Sequence, residues 1–180
     1  MKDLGSPSRL SLPVHGSVRF VLVRPHYPEN LGASARALKA MGFSDLALVR
    51  PSRLCVPEHE MAFKMAVKSW DVLNQVRLFD DLADAVAGYD LVVATTARRG
   101  VSGVYTPRRL APMVVERAER GQRSVVLFGN EKTGLGEHEL ALSTAALRIP
   151  MVADQPSVNL AQAVQIVAYE LLVAALERRE

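Results

Sequence analysis

Short, wholly apolar runs alternate with longer helical stretches along this chain, and that alternation limits its fold more than any other feature. Arg19–Arg24, Leu46–Val49, Leu91–Ala94 and Val125–Phe128 carry no polar residue in their interiors. Runs of this kind suit strands buried on both faces, as in parallel sheets. Between them, Leu31–Met41 is Ala-rich with helical spacing, and Gly42 follows as its C-terminal stop. Glu58–Leu73, Asp81–Ala87, Arg108–Arg120 and Glu137–Ser143 also read as helices. Val76–Phe79 reads as a weak strand, and Leu147–Met151 as a last strand broken by Pro150. The pattern predicts an α/β fold with a mostly parallel sheet flanked by helices. Residues 1–16, rich in Ser, Pro and Gly and without period, are expected to form a flexible tail, and residues 17–180 a single domain.

The last helix, Val158 to Leu176, is apolar over much more than a single stripe of roughly 100°. One sheet buries only one side of a helix. Each large side chain left in water forgoes roughly 1.5–3 kcal/mol. A second copy of the chain packed on this helix is therefore expected, giving a homodimer. The alternative is a helix central to a monomeric core. Gln162, Gln165 and Glu170 interrupt the stretch and make it a poor membrane span.

Several chemistries lack their residues. Cys55 is the single cysteine, so no internal disulfide forms, in keeping with a reducing, cytoplasmic location. The four histidines (His15, His26, His59 and His138) have no zinc-binding spacing, and no metal is expected. Gly129 to Gly134 has P-loop spacing, but Leu135-Gly136 stands where Lys and Ser or Thr are required. No Gly-x-Gly-x-x-Gly turn occurs, and Gly100 to Val104 misses the nucleophile elbow of hydrolases. A net charge of +3 permits a polyanionic partner without demanding one.

In open α/β sheets ligands bind at the carboxyl ends of strands, and four such ends are polar or glycine-rich. The first runs from Pro25 through Asn30 to Arg36; Asn30 is either a helix cap or a ligand group. The second is Thr95-Thr96-Ala97-Arg98-Arg99-Gly100, where hydroxyls and paired arginines suit a polar or phosphorylated ligand. The third, Gly129 to Gly136, allows close backbone approach. The fourth, Ile149 to Asn159, ends in Ser157-Val158-Asn159 at the start of the last helix, where Ser157 also suits a cap.

Taken in order, these segments resemble the motif set of the SpoU/TrmH class of SPOUT methyltransferases. The first motif is Asn30-Leu31-Gly32 with Arg36 four residues beyond the glycine. The second is Gly129-Asn130-Glu131-Lys132-Thr133-Gly134-Leu135, and the third is Ile149-Pro150-Met151 followed by Ser157-Val158-Asn159-Leu160. The likeness spans roughly residues 18–178, and Ala35 to Gly42, Thr95 to Arg98 and Ala161 to Gln165 are most similar to the TrmJ branch. Asn130 stands where that branch has Arg, Pro156 and Val158 depart from its third motif, and the chain ends at Glu180 without that branch's further C-terminal segment. Ile149 to Val152 also resembles the compact TrmL branch, which modifies the wobble ribose.

The resemblance implies a C-terminal trefoil knot, a homodimer and S-adenosylmethionine as methyl donor. It implies transfer to a ribose 2'-hydroxyl of RNA, tRNA in the anticodon loop first and rRNA second. A binding protein without catalysis is the competing expectation. Arg36, Asn30, Glu131, Ser157 and Asn159 become the catalytic set. Thr95, Thr96, Ala97, Gly129, Ile149, Ser157, Val158 and Leu160 become the cofactor-binding set. Arg98, Arg99, Arg50 and Arg53 become candidates for RNA phosphates. Arginine side chains keep their proton in proteins, which favours Arg36 as a stabiliser of the developing alkoxide over a base.

Overall fold

The computed structural model describes residues 10–98, 101, 103–152 and 157–179. Its strands are β1 (Val18–Val23), β2 (Leu46–Val49), β3 (Arg77–Phe79), β4 (Leu91–Thr95), β5 (Val104–Tyr105), β6 (Ser124–Phe128) and β7 (Ala145–Leu147). They form one seven-stranded sheet in the order β3-β2-β1-β6-β4-β7-β5. Every pairing is parallel, with Leu22 opposite Leu48 on one side of β1 and Phe128 on the other. The apolar runs are thus the central strands, and all six residues of β1 are buried.

The helices are α1 (Pro13–Ser17), α2 (Pro28–Ala40), α3 (Glu60–Met65), α4 (Trp70–Asn74), α5 (Leu82–Val86), α6 (Pro107–Glu119), α7 (Glu137–Ala141) and α8 (Leu160–Glu177). They cover the two sheet faces unequally. Phe20, Leu22, Val126 and Phe128 point into a thick layer with Val14, Leu38, Val114 and Leu171 from the helices. Phe20 lies 5.2 Å from Phe43 and 6.1 Å from Phe128, ring to ring. Val21, Val23, Val125 and Leu127 meet a thinner layer with Leu82, Ala85 and Leu135. Burying each of these large side chains is worth roughly 1.5–3 kcal/mol.

Arg19 is the charged exception inside β1, only 4% exposed. Its guanidinium bonds Asp45 at 3.1 Å and the Ala85 carbonyl at 2.8 Å. It also lies 4.8 Å from the Tyr89 ring centre. A buried charge is tolerated only when partnered in this way. The cluster sits at the amino end of the sheet, opposite the site described below.

The structure departs from sequence expectation in five places. The expected tail reaches only part of the way: Leu12 and Val14 are buried, and α1 packs beside Phe43 through His15. Residues 1–9 lie outside the described residues. The helix expected over residues 58–73 is divided into α3 and α4, because Lys68 takes a left-handed backbone with φ of 59°. The Lys68 carbonyl instead receives the Lys39 ammonium at 2.9 Å. The last strand ends at Leu147, and residues 148–152 leave the sheet before Pro150. β5 is a two-residue edge strand too short to leave a periodic signal.

The fifth departure concerns α8. It does not leave one whole side open but packs on α1, α2 and α6. Leu160, Ala161, Val164, Val167, Ala168, Leu171, Ala174 and Ala175 are buried within the chain itself. What stays accessible is a narrower stripe, with Tyr169 and Leu176 exposed and Ile166 and Val173 partly so.

Candidate active site

Because the sheet is parallel, β1, β4, β6 and β7 all deliver their carboxyl ends to one edge. A cleft of about 370 Å³ opens there. Thr95, Thr96, Ala97, Gly129, Ile149, Ser157, Val158 and Leu160 all line it. Three of the four polar segments therefore meet in this cleft, and the first, with Asn30 and Arg36, lies beside it. Leu135, Leu147 and Ala163 add apolar wall, and Lys132 and Thr133 add polar wall. Ligand sites of this size are commonly apolar with a few placed polar groups.

Gly129 is required by contact. A Cβ there would overlap the backbone of Gly134 and Leu135. The chain folds back on itself through an Asn130–Gly134 bridge, and Gly134 takes a φ of 66°. Asn130 explains its own departure from the branch pattern. Its amide donates to the Arg24 carbonyl at 2.7 Å, and its oxygen accepts from the backbone of Lys132 at 2.9 Å and Thr133 at 3.2 Å. An arginine offers no acceptor for these two donors. If the cleft holds the S-adenosylmethionine that the resemblance implies, Gly129→Ala is expected to weaken its binding by on the order of 10- to 100-fold, the equivalent of one overpacked site. Isothermal titration with S-adenosylmethionine checks this; unchanged affinity contradicts the tight turn.

Beside the cleft, three motif residues form one hydrogen-bonded chain. Glu131 accepts from the backbone N–H of His26 at 2.9 Å, from that of Tyr27 at 3.2 Å and from the Asn30 amide at 2.9 Å. The Asn30 oxygen accepts from the Asn159 amide at 3.0 Å. The Asn159 oxygen caps α8, accepting from Ala161 at 3.0 Å and Gln162 at 3.3 Å. Asn30 is not the cap of α2. That position belongs to Tyr27, with Pro28 next, and the Asn30 side chain is buried within the first turn. Nor is Ser157 the cap of α8. Its place is in the cleft.

Arg36 projects from α2, exposed, into a second groove lined by Val158, Asn159, Gln162 and Gln165. Val158 belongs to both hollows. Among the described residues the Arg36 guanidinium makes no hydrogen bond, so Glu131 orients Asn30 rather than Arg36. Gly32 keeps this face of α2 close to α3, since a Cβ there would run into the Ala62 carbonyl.

The four arginines proposed for phosphate part company. Arg98 reaches back to the Leu135 carbonyl at 3.1 Å and closes one end of the cleft. Arg50 is tied to the Asp80 carbonyl and lies 3.8 Å from Asp81. Arg53 is exposed, with no hydrogen bond or ion pair among the described residues. Arg99 lies outside the described residues.

Sequence reading missed Arg24 and Glu139. Arg24, with a φ of 50°, forms an ion pair with Glu139, which in turn accepts from the Gly136 N–H. The pair holds the third segment against the end of β1. Separated by more than a hundred residues, it left no local signal.

Cys55 is fully buried behind Tyr27, and desolvation first, then the nearby Glu131 and Glu29 charges, push its pKa up to about 12. The thiol is therefore expected to stay protonated and to resist Ellman's reagent at pH 8 in the folded protein, then to react fully in guanidinium. Rapid labelling of the folded protein contradicts this burial.

A parallel α/β sheet with a glycine-built cleft at its carboxyl edge, and a Glu131–Asn30–Asn159 chain beside the exposed Arg36, accord with the methyltransferase class that the motifs resemble. The family described as the SpoU rRNA Methylase family matches residues 17–169, and the chain belongs to that family. The chain is 39% identical over 156 residues to the uncharacterized tRNA/rRNA methyltransferase LasT of Escherichia coli, covering 86% of this chain and 67% of LasT. It is 37% identical over 166 residues to the tRNA (cytidine/uridine-2'-O-)-methyltransferase TrmJ of Photorhabdus laumondii, covering 91% of this chain and 67% of that one. The crystal structure of TrmJ from Z. mobilis superposes with a TM-score of 0.78 at 38% identity, covering 87% of this chain and 69% of that one. A structure described as giving insights into 2-OH methylation of C/U34 on tRNA superposes at 0.69 with 30% identity, covering 89% and 97% of the two chains. The chain thus spans about two thirds of the length of these two curated relatives. It is an RNA methyltransferase that uses S-adenosylmethionine.

Proposed function

We propose that this enzyme methylates a ribose 2'-hydroxyl of tRNA, in the anticodon loop. The observation that carries the reading is the Glu131–Asn30–Asn159 chain, which joins the cleft to the groove holding Arg36. The relatives named for tRNA 2'-O-methylation support the substrate, and the match that covers 97% of its structure is one described for C/U34. A cytoplasmic location accords with that substrate.

The cleft suits S-adenosylmethionine in its chemistry. Apolar walls from Leu135, Leu147 and Leu160 take the adenosine, while Thr96, Lys132 and backbone groups of Thr95, Ala97 and Ile149 take the polar end. When bound, it supplies an activated methyl group. The protein's own part is to place the ribose oxygen and stabilise its charge. Arg36 faces that oxygen as a hydrogen-bond donor. Asn159 sets the floor between the two hollows, and Ser157 lines it. Glu131 holds Asn30 by a charge-assisted bond, and Asn30 in turn holds Asn159 in register by an amide–amide bond.

Two structural readings accompany this one. The placement of β7 between β4 and β5, with the Thr96 N–H bonded to the Leu147 carbonyl at 2.8 Å, accords with a trefoil knot. The α8 stripe of Ile166, Tyr169, Val173 and Leu176 has the three-and-four spacing of a helix seam and supports a homodimer through this helix. Labelled S-adenosylmethionine offered with bulk tRNA or rRNA, followed by nucleoside analysis, tests the function. A 2'-O-methyl pyrimidine nucleoside from tRNA is the expected product. Label confined to rRNA or to a base overturns the substrate.

A further inference from the structure

An enzyme that modifies a loop ribose has to hold the nucleotides around it, whose bases are unpaired and need a surface to stack on. The segment before α2 has the chemistry for this. Its aromatic pair, His26 and Tyr27, meets edge to face at 4.7 Å between ring centres. Tyr27 is 41% exposed, and its hydroxyl makes no hydrogen bond among the described residues. An exposed ring normally moves freely, yet the backbone carrying this one is fixed from both sides. Glu131 takes the N–H groups of His26 and Tyr27, which places the pair against the Glu131–Asn30–Asn159 chain. From the other side Ser52 bonds the Pro25 carbonyl at 2.9 Å and the His26 carbonyl at 2.8 Å. The Cys55 sulfur lies 3.6 Å from the Tyr27 carbonyl.

Those same bonds pin the loop after β2, and with it Arg53, to the aromatic pair. Arg53 is the cation of that loop left unpaired among the described residues, whereas Arg50 is tied to Asp80 and Asp81. An exposed aromatic ring and an exposed arginine on adjoining loops are a combination that grips single-stranded nucleic acid, by stacking on a base and by pairing with its phosphate.

We propose that His26 and Tyr27 form a stacking subsite for one unpaired nucleobase of the RNA substrate, next to the methylated ribose, and that Arg53 binds a phosphate of the same strand. The inference rests on the RNA-methylating reading above and assigns it a base-binding surface. Because the pair is held through backbone groups, substitutions at Tyr27 leave the Glu131 contacts in place.

The test measures anisotropy of a fluorescently labelled, unmodified tRNA and steady-state methyl transfer into it, for the wild type, Tyr27→Ala, Tyr27→Leu, Tyr27→Phe and Arg53→Ala. Tyr27→Ala and Tyr27→Leu are expected to raise Kd and KM for tRNA by about 5- to 100-fold, the range measured when a stacking ring is removed. Tyr27→Phe keeps wild-type values, and affinity for S-adenosylmethionine stays the same in all four variants. Arg53→Ala lowers the slope of log Kd against log salt by about 0.7 to 0.9. Wild-type Kd and KM in Tyr27→Ala and Tyr27→Leu overturn the subsite. So does a loss that appears together with dissociation of the dimer in sedimentation, because the ring then contacts a second copy. A wild-type protein that binds tRNA but transfers no methyl group refutes the functional reading alone. One that transfers methyl while Tyr27→Leu matches it refutes the subsite alone.

Discussion

Replacing Arg36 with alanine is expected to lower methyl transfer by about 100- to 1000-fold, the loss seen when one donor to a developing oxyanion is removed. Affinity for S-adenosylmethionine is expected to stay within about twofold. The separation follows from geometry. Arg36 stands in the groove with Gln162 and Gln165, while the cleft proposed for the cofactor is lined by Thr96, Gly129 and Leu160, and only Val158 is common to both. The guanidinium is exposed and carries no structural hydrogen bond among the described residues, so its loss leaves the fold intact. Single-turnover transfer at saturating S-adenosylmethionine, alongside calorimetric titration, reads the two quantities separately. Arg36→Lys keeps the charge but not the planar donor array, and is expected to recover little. Normal turnover by Arg36→Ala removes the residue from the mechanism.

The parts of the site that were legible in the sequence are those whose chemistry is local. Glycines that permit a turn, an asparagine before a helix and hydroxyls after a strand each mark a strand end, and the parallel sheet then brings those ends together. The eight expected cofactor residues share one cleft for that reason. Hydrogen bonding across the fold was not legible. Asn30 and Ser157 both looked like caps, yet Asn159 caps α8, and the Asn30 amide is committed to Glu131. Arg98 resembled a phosphate ligand in composition, and no spacing announced that one of its N–H groups reaches back to the Leu135 carbonyl. The Arg24–Glu139 pair depends on two loops meeting, which no spacing announces. On the fold side, long apolar strands were readable because burial on both faces leaves no alternation. The break at Lys68 was hidden, since a left-handed lysine has no compositional mark.

Glu131 is where the sharper test of the hydrogen-bonded chain lies. Its carboxylate receives three donors, two of them backbone groups at the entry to α2. Glu131→Ala strands all three, and a hydrogen bond to a charged group is worth roughly 1.5–3 kcal/mol net. For a domain of this size that corresponds to a fall in Tm of roughly 3–10 °C. Catalysis is expected to lose more than stability does. Once Glu131 is gone the Asn30 amide is free to turn, and Asn159 keeps its cap on α8 but loses the oxygen that fixes its own amide. A loss in kcat of about 100-fold is expected, in line with a displacement of about 1 Å near the reacting groups. Glu131→Gln retains one acceptor oxygen and turns its NH2 towards backbone donors, so it is expected to fall between wild type and alanine. The decisive comparison is the double variant. If Glu131 and Asn30 act only as one unit, Asn30→Ala combined with Glu131→Ala costs little more in kcat than either alone. Losses that multiply show instead that each residue meets the substrate independently, and the chain is then no more than a structural tie between α2 and α8.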